Sequence, residues 1–222
     1  TLVEDGAEAR ECIAVLNIYF FDAKRFRCIE DLSRVHPPLN TAHFGRALMD
    51  RSGSPVMIAV LYRYLAEHLG VQLEIVDFHP LRFLRWNDNG RSRFVDIARN
   101  GAILSSDEII EWLQSKAETV PASTFEVSPF ELVVSDYIAD LKVAIRASND
   151  FEKLLFLQNA LVSYQPSNIH LLAERAALSK RLGQFKNALN DLKRYFTFID
   201  KAKAAQELLD LHDDLVRLNN KI

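Results

Sequence analysis

Few residues in this chain have both the type and the setting for chemistry. Ser54 stands directly before Pro55 at a helix start. Its hydroxyl reads either as a nucleophile or as a cap accepting from the first free N–H groups, and a serine in that place is ordinarily a cap. Cys28 has Arg25 and Arg27 beside it, charges that favour a thiolate. It reads either as a reactive thiol or as a half-buried structural one. Arg82, Arg85, Arg91 and Arg93 cluster with Phe83 and Trp86, as an anion or nucleic-acid patch would. Arg82 and Arg85 have opposite strand parity, however, so a solvated hairpin is the better reading. The six histidines show no metal spacing, and His36 and His43 are too scattered from Cys28 to form a zinc site. Neither a metal nor a cofactor is expected.

These residues sit in an ordinary globular composition, 49% hydrophobic and 26% charged, with formal charge -3. Residues before Phe130 carry 14 basic and 18 acidic side chains; those from Phe130 onward carry 13 and 12. Neither part has the basic excess of a nucleic-acid binder. No apolar run reaches the ~20 residues of a membrane span. The N-terminus lacks a basic-then-apolar signal pattern. Two cysteines make no disulfide framework, which fits a cytoplasmic protein.

The stretch from Ser54 to Gly70 organises the rest. Ser54 and Pro55 start a helix, Gly70 supplies the left-handed stop, and most positions between are apolar. Ile58, Leu61, Leu65 and Leu69 recur at helical spacing and are expected to face a sheet. Tyr62 and Tyr64 read as core. Upstream, residues 5–22 have helical periodicity through Cys12, Ile13, Leu16 and Phe20. His36-Pro37-Pro38 is a breaker, and a short helix from Asn40 to Arg51 turns Phe44, Ala47 and Leu48 inward. Downstream the period becomes two from Val71 to Phe78 and again from Leu81 to Trp86. Asn87-Asp88-Asn89-Gly90 is a hairpin turn, Phe94 to Ile97 the returning strand, and Asn100-Gly101 another turn before Ile103-Leu104. Ser105 and Glu108 form a capping box for a helix with Ile109, Ile110, Trp112 and Leu113 inward.

Thr119 to Pro129 reads as a linker. Helices are then expected near 130–147, 151–164, 167–182, 184–199 and 201–220. Ala177, Leu178, Leu182, Gly183, Phe185, Ala188, Leu192 and Tyr195 follow the small-large pattern of a tetratricopeptide helix pair. About one and a half such repeats are present.

In order and spacing, Leu16 to Phe26, Arg51-Ser52-Gly53-Ser54-Pro55 with its helix to Gly70, Phe94-Val95-Asp96 with Asn100-Gly101, and the repeat tail resemble the bacterial SirB-type proteins. The resemblance implies an α+β fold, with a cysteine-peptidase/transglutaminase-like core over residues 1–118. In it a central helix lies on a small antiparallel sheet. A linker at 119–130 and an all-α tetratricopeptide-like tail at 131–222 follow. The transglutaminase site needs a Cys at the central helix start, a His on the next strands and an Asp on the following one. Carried onto this chain, the nucleophile position falls on Pro55, the histidine position on Leu81 and the aspartate on Asp96. Proline has no nucleophile. His79 shares strand parity with Leu81, so a His79–Asp96 pair stays open; otherwise His79 is a strand-end histidine and Asp96 caps the turn before Gly101. The expectation is a non-catalytic protein-interaction or regulatory scaffold. Its partner would be a protein or peptide held by the helical tail, with neither nucleic acid nor membrane. The alternative is a hydrolase or acyl-transferase of altered chemistry using His79 and Asp96, with Ser54 or Cys28.

Overall fold

The structure is a computed structural model, and it describes residues 8–29, 43–78, 81–115 and 125–219. The expectations for His36-Pro37-Pro38, for His79 and for residues 116–124 lie outside these. The chain divides into two compact units, Thr1–Ala144 and Ile145–Ile222.

The first unit begins with helix α1 (Ala9–Asn17), which runs on as a π-helical segment, Ile18–Ala23. The wider π turn brings the adjacent Phe20 and Phe21 into the core together. Strand β1 (Arg27–Cys28) pairs in parallel with β2 (Ser52–Gly53), on either side of α2 (Phe44–Asp50). Helix α2 buries Ala47 but leaves Leu48 exposed, against expectation. Its seven residues turn one narrow face inward, and Leu48 is one residue round from it.

Helix α3 (Pro55–His68) is the central helix. Gly70 closes it with φ +79. An antiparallel sheet follows in the order β3 (Glu74–Phe78), β4 (Leu81–Asp88), β5 (Arg91–Asp96) and β6 (Ala102–Ser105). Asn89 and Gly90 both have positive φ and make the two-residue β4–β5 turn. Each sheet face meets its own core. Ile75, Leu84, Trp86 and Val95 pack with α3. Val76, Phe83 and Phe94 pack with Ile109 and Leu113 of α4 (Ser106–Ser115). The Ser105 hydroxyl accepts from the Glu108 N–H and donates to its carboxylate at 2.8 Å, forming the expected capping box. Those bonds, led by the Ser105 backbone N–H, hold the Glu108 carboxyl below its ordinary range.

Within α3 the buried residues are Val56, Met57, Ile58, Ala59, Tyr62 and Ala66, while Leu61, Leu65 and Leu69 are half-buried and Tyr64 is exposed. The inward face is thus centred on Ile58 and Tyr62. Phe20 and Phe21 set that centre, lying 5.4 and 5.8 Å from the Tyr62 ring.

Helix α5 (Phe130–Ala147) spans the division between the units. The second unit continues with α6 (Phe151–Tyr164), α7 (Ile169–Arg181), α8 (Phe185–Phe198), a 3-10 turn at Lys201–Lys203 and α9 (Gln206–Asn219). Its core gathers Ala176, Ala188, Leu189, Leu192 and Leu215. The two small residues, on α7 and α8, permit close approach. Among the described residues no helix is long and apolar enough to cross a membrane.

Candidate functional site

The start of α3 is fixed before the helix begins. Arg27 pairs with Ser52 and Cys28 with Gly53, and the Ile29 N–H donates to the Gly53 carbonyl. A Cβ on Gly53 would lie 3.3 Å from the Ala47 Cβ and 3.4 Å from the Met57 Cβ, so a glycine lets α2 and α3 close together here. Ser54 takes extended backbone geometry at the N-cap, with Pro55 at the first helical position. Its carbonyl accepts the Ile58 N–H at 3.0 Å.

The Ser54 hydroxyl does not cap the helix, which corrects the sequence expectation. It is wholly buried, with no hydrogen bond of good geometry. Its neighbour is Asp140 of α5, whose carboxyl it draws down, without a well-formed bond. Burial is the stronger influence and raises the Asp140 pKa; the charge of Asp136 also raises it, and that of Arg82 lowers it. The long helix thus places the serine's polar neighbour, in competition with the helix's own N–H groups.

Strand parity sorts the remaining candidates. Leu84 and Trp86 face α3, so Arg82 belongs to the same face. Its guanidinium binds Asp136 at 2.5 Å, and its side chain is only 8% exposed. Arg82 is therefore buried and ion-paired, not solvated. Arg85 takes the opposite face and pairs with Glu74 at 2.6 Å. Leu81 pairs with Phe78 at the start of β4.

Asp96 lies directly across from Phe83, on the sheet face that meets α4. The sheet separates it from Ser54 and Pro55. Its carboxylate binds the Arg99 guanidinium at 2.6 Å and accepts the Arg99 N–H at 3.0 Å, while its carbonyl accepts the Gly101 N–H. Arg99 in turn lies over the Trp112 ring. Asp96 is thus engaged in the turn before Gly101, and the structure does not bring it to Ser54. His79 lies outside the described residues. Cys28 is half-buried in β1, and Cys12 is buried with its thiol toward the Leu69 carbonyl. Among the described residues no cluster of His, Cys, Asp or Glu could hold a metal ion.

Sequence reasoning missed Asp136 and Asp140. Their signal was present: two acids four apart interrupt the apolar run Phe-Glu-Leu-Val-Val-Ser-Asp-Tyr-Ile-Ala-Asp. Val133 and Tyr137 pack on the same core, and Tyr137 lies 5.3 Å from the Phe44 ring. Chemically, the α3 start offers a ring nitrogen without a proton, a buried hydroxyl and one cation shared between two carboxylates. That arrangement holds a helix in place, and among the described residues none of these groups is an exposed nucleophile.

A family model described as the transglutaminase-like superfamily matches residues 2–133, more than half of the chain. The chain is also similar to a UPF0162 protein of Xylella fastidiosa, 21% identical over 189 residues. That alignment covers 82% of this chain and 66% of the relative, so the chain spans just under two thirds of that relative's length. No solved structure matches.

Proposed function

The chain belongs to the transglutaminase-like superfamily, and from that premise we propose that it is a non-catalytic scaffold for protein interaction or regulation. One observation carries this reading. Where the family's thiol would stand, at the dipole-positive start of α3, the chain has Pro55, and the adjacent Ser54 is buried beside Asp140 of α5. A helix start favours a thiolate only if a thiol is there. Transfer to a carbonyl also needs a base within hydrogen-bond reach of the reacting proton. The His79–Asp96 alternative finds its aspartate already bound to Arg99, on the far side of the sheet. The finer kinship with SirB-type proteins, and a tetratricopeptide-like tail that binds protein or peptide segments, belong to the same proposal. Gly183 at φ +73 and the close approach of Ala176 and Ala188 support it.

The test restores the missing groups. Pro55→Cys, alone and combined with Leu81→His, is expected to remain inactive in amine transfer to a glutamine peptide. Iodoacetamide labelling against pH, on native and on denatured protein, checks that the thiol is present and reports its exposure. Transfer by Pro55→Cys alone would overturn the scaffold reading. Transfer by the double variant only would show a substrate groove still intact and would overturn the part of the reading that has the α3 start closed off by Ser54 buried beside Asp140.

A further inference from the structure

Helix α6 has the composition of a helix covered on both sides. In a chain with 26% charged residues, no Asp, Glu, Lys or Arg stands between Lys153 and Glu174. The inner face of α6 buries Leu154, Leu155, Gln158 and Val162. Its outer face carries Phe156, Ala160 and Tyr164, four apart and so in one slanted row. Phe156 is 77% and Tyr164 82% exposed, more than any other large apolar side chain described. A helix that is apolar all round ordinarily has a neighbour on both sides.

We propose that the missing neighbour is α6 of a second copy of this chain, packed antiparallel about a two-fold axis at Ala160. The inference is independent of the scaffold reading above. About such an axis, positions equally far before and after Ala160 face each other, so Phe156 of each copy lies beside Tyr164 of the other. Ala160 meets its own counterpart, and its small side chain lets the helix axes approach to about 8 Å. Charge decides between a copy and a foreign partner. A foreign partner is steered and selected by complementary charge, and this face has none. Self-pairing needs only that like charges stay apart, and here they do. Glu152 comes opposite Asn168, and Lys153, already bound to Asp150 at 2.6 Å, comes opposite Ser167. Area sets the strength. An aromatic side chain buries about 150–250 Å² when covered, so the four exposed rings together remove roughly 600 Å² from water. With Asn159, Ala160 and Ser163 added, the total stays near the ~1,000 Å² of transient interfaces. The dimer is therefore weak, with Kd on the order of 0.1 mM.

Sedimentation equilibrium of the whole chain, from about 5 µM to about 1 mM, reads the association, and a monomer–dimer equilibrium with Kd of about 0.1 mM is expected. Phe156→Glu and Tyr164→Lys, each alone, are expected to weaken it about tenfold or more. Mixed in equal amounts, the two variants are expected to associate again. In the mixed dimer one contact pairs the introduced acid with the introduced amine, and the other is the native contact of Phe156 with Tyr164. Both substituted side chains are exposed, so each variant is expected to keep the wild-type CD spectrum. Ala160→Cys gives a second reading with the native rings in place. Mild oxidation is expected to link its copies, because the axis brings the two thiols within disulfide reach, while the wild-type chain stays unlinked. A chain that is still monomeric at the highest concentration would overturn the proposal. A dimer that neither variant weakens would place the contact elsewhere and overturn it too. So would a mixture no more associated than its parts, or a dimer in which Ala160→Cys does not link, since each excludes antiparallel pairing at Ala160. The scaffold reading is tested by transfer chemistry at α3, so the two fail separately.

Discussion

Burial of the Asp140 carboxyl opposes its charge. Burial raises its folded-state pKa above the unfolded value, so the native chain binds that proton more tightly. The resulting stability is fully present below the unfolded pKa and is lost as pH rises through the folded one. Asp140→Asn, which keeps the shape without the charge, is therefore expected to raise the urea midpoint at pH 7. The gain should shrink toward zero as pH falls below the carboxyl's raised value, and a pH series of urea titrations checks it. A second residue-scale case is Asn17. Its oxygen accepts from the Tyr62 hydroxyl at 2.8 Å and its nitrogen donates to the Gly101 carbonyl at 2.7 Å, tying α1 to α3 and to the β5–β6 turn. Burial pushes the Tyr62 pKa up, so its proton stays in that bond. Gly101 has φ +81, and a Cβ there would fall 2.1 Å from the Asn17 oxygen. Gly101→Ala is expected to cost about 2–4 kcal/mol, from the left-handed conformation and the displaced asparagine. Thermal unfolding reads that loss.

At the scale of the element, α3 is buried along a stripe that differs from the most hydrophobic spacing. Ile58 is 0% exposed, whereas Leu61 is half-buried. Truncation costs follow the space vacated. Ile58→Ala is expected to lose about 2–5 kcal/mol, and Leu61→Ala roughly half as much because solvent already reaches it. Equal shifts in the urea midpoint for the two variants would show that the inward face had been misplaced. The sheet shows the same principle from the other side. Both faces of β3 to β5 are covered, so Ile75 and Val76, neighbours of opposite parity, are each buried in a different core. Simple alternation of polar and apolar residues therefore under-reads these strands.

Across the whole molecule, the two units have separate cores and separate reporters. Both tryptophans, Trp86 and Trp112, lie in the first unit, packed with its two cores. Ala188 lies in the core of the second. Ala188→Leu adds bulk where α7 and α8 approach closely and is expected to cost about 1–3 kcal/mol. The measurement is far-UV CD for the loss of helix on heating, beside native tryptophan emission, which should not change. A shifted native emission spectrum would show that the disturbance had spread beyond the second unit.

Much of the fold was legible in the sequence because its signals are local. Pro55 and Gly70 mark the limits of α3, Asn89-Gly90 and Asn100-Gly101 supply the positive φ values of two turns, and Ser105 with Glu108 starts α4. Each depends on residues a few positions apart. The lack of a nucleophile at Pro55 was equally legible, since no environment can give proline a thiol. The tertiary structure alone decided what surrounds that position. Whether Ser54 caps its helix depends on Asp140, and whether Arg82 is solvated depends on Asp136, 54 residues along the chain. Asp96 faces α4 because β5 pairs in one register with β4 and β6. Local pattern sets which elements form. Charge pairing, burial and register between distant segments set which side chains meet, and in this protein they cover the helix start and turn Asp96 away from it.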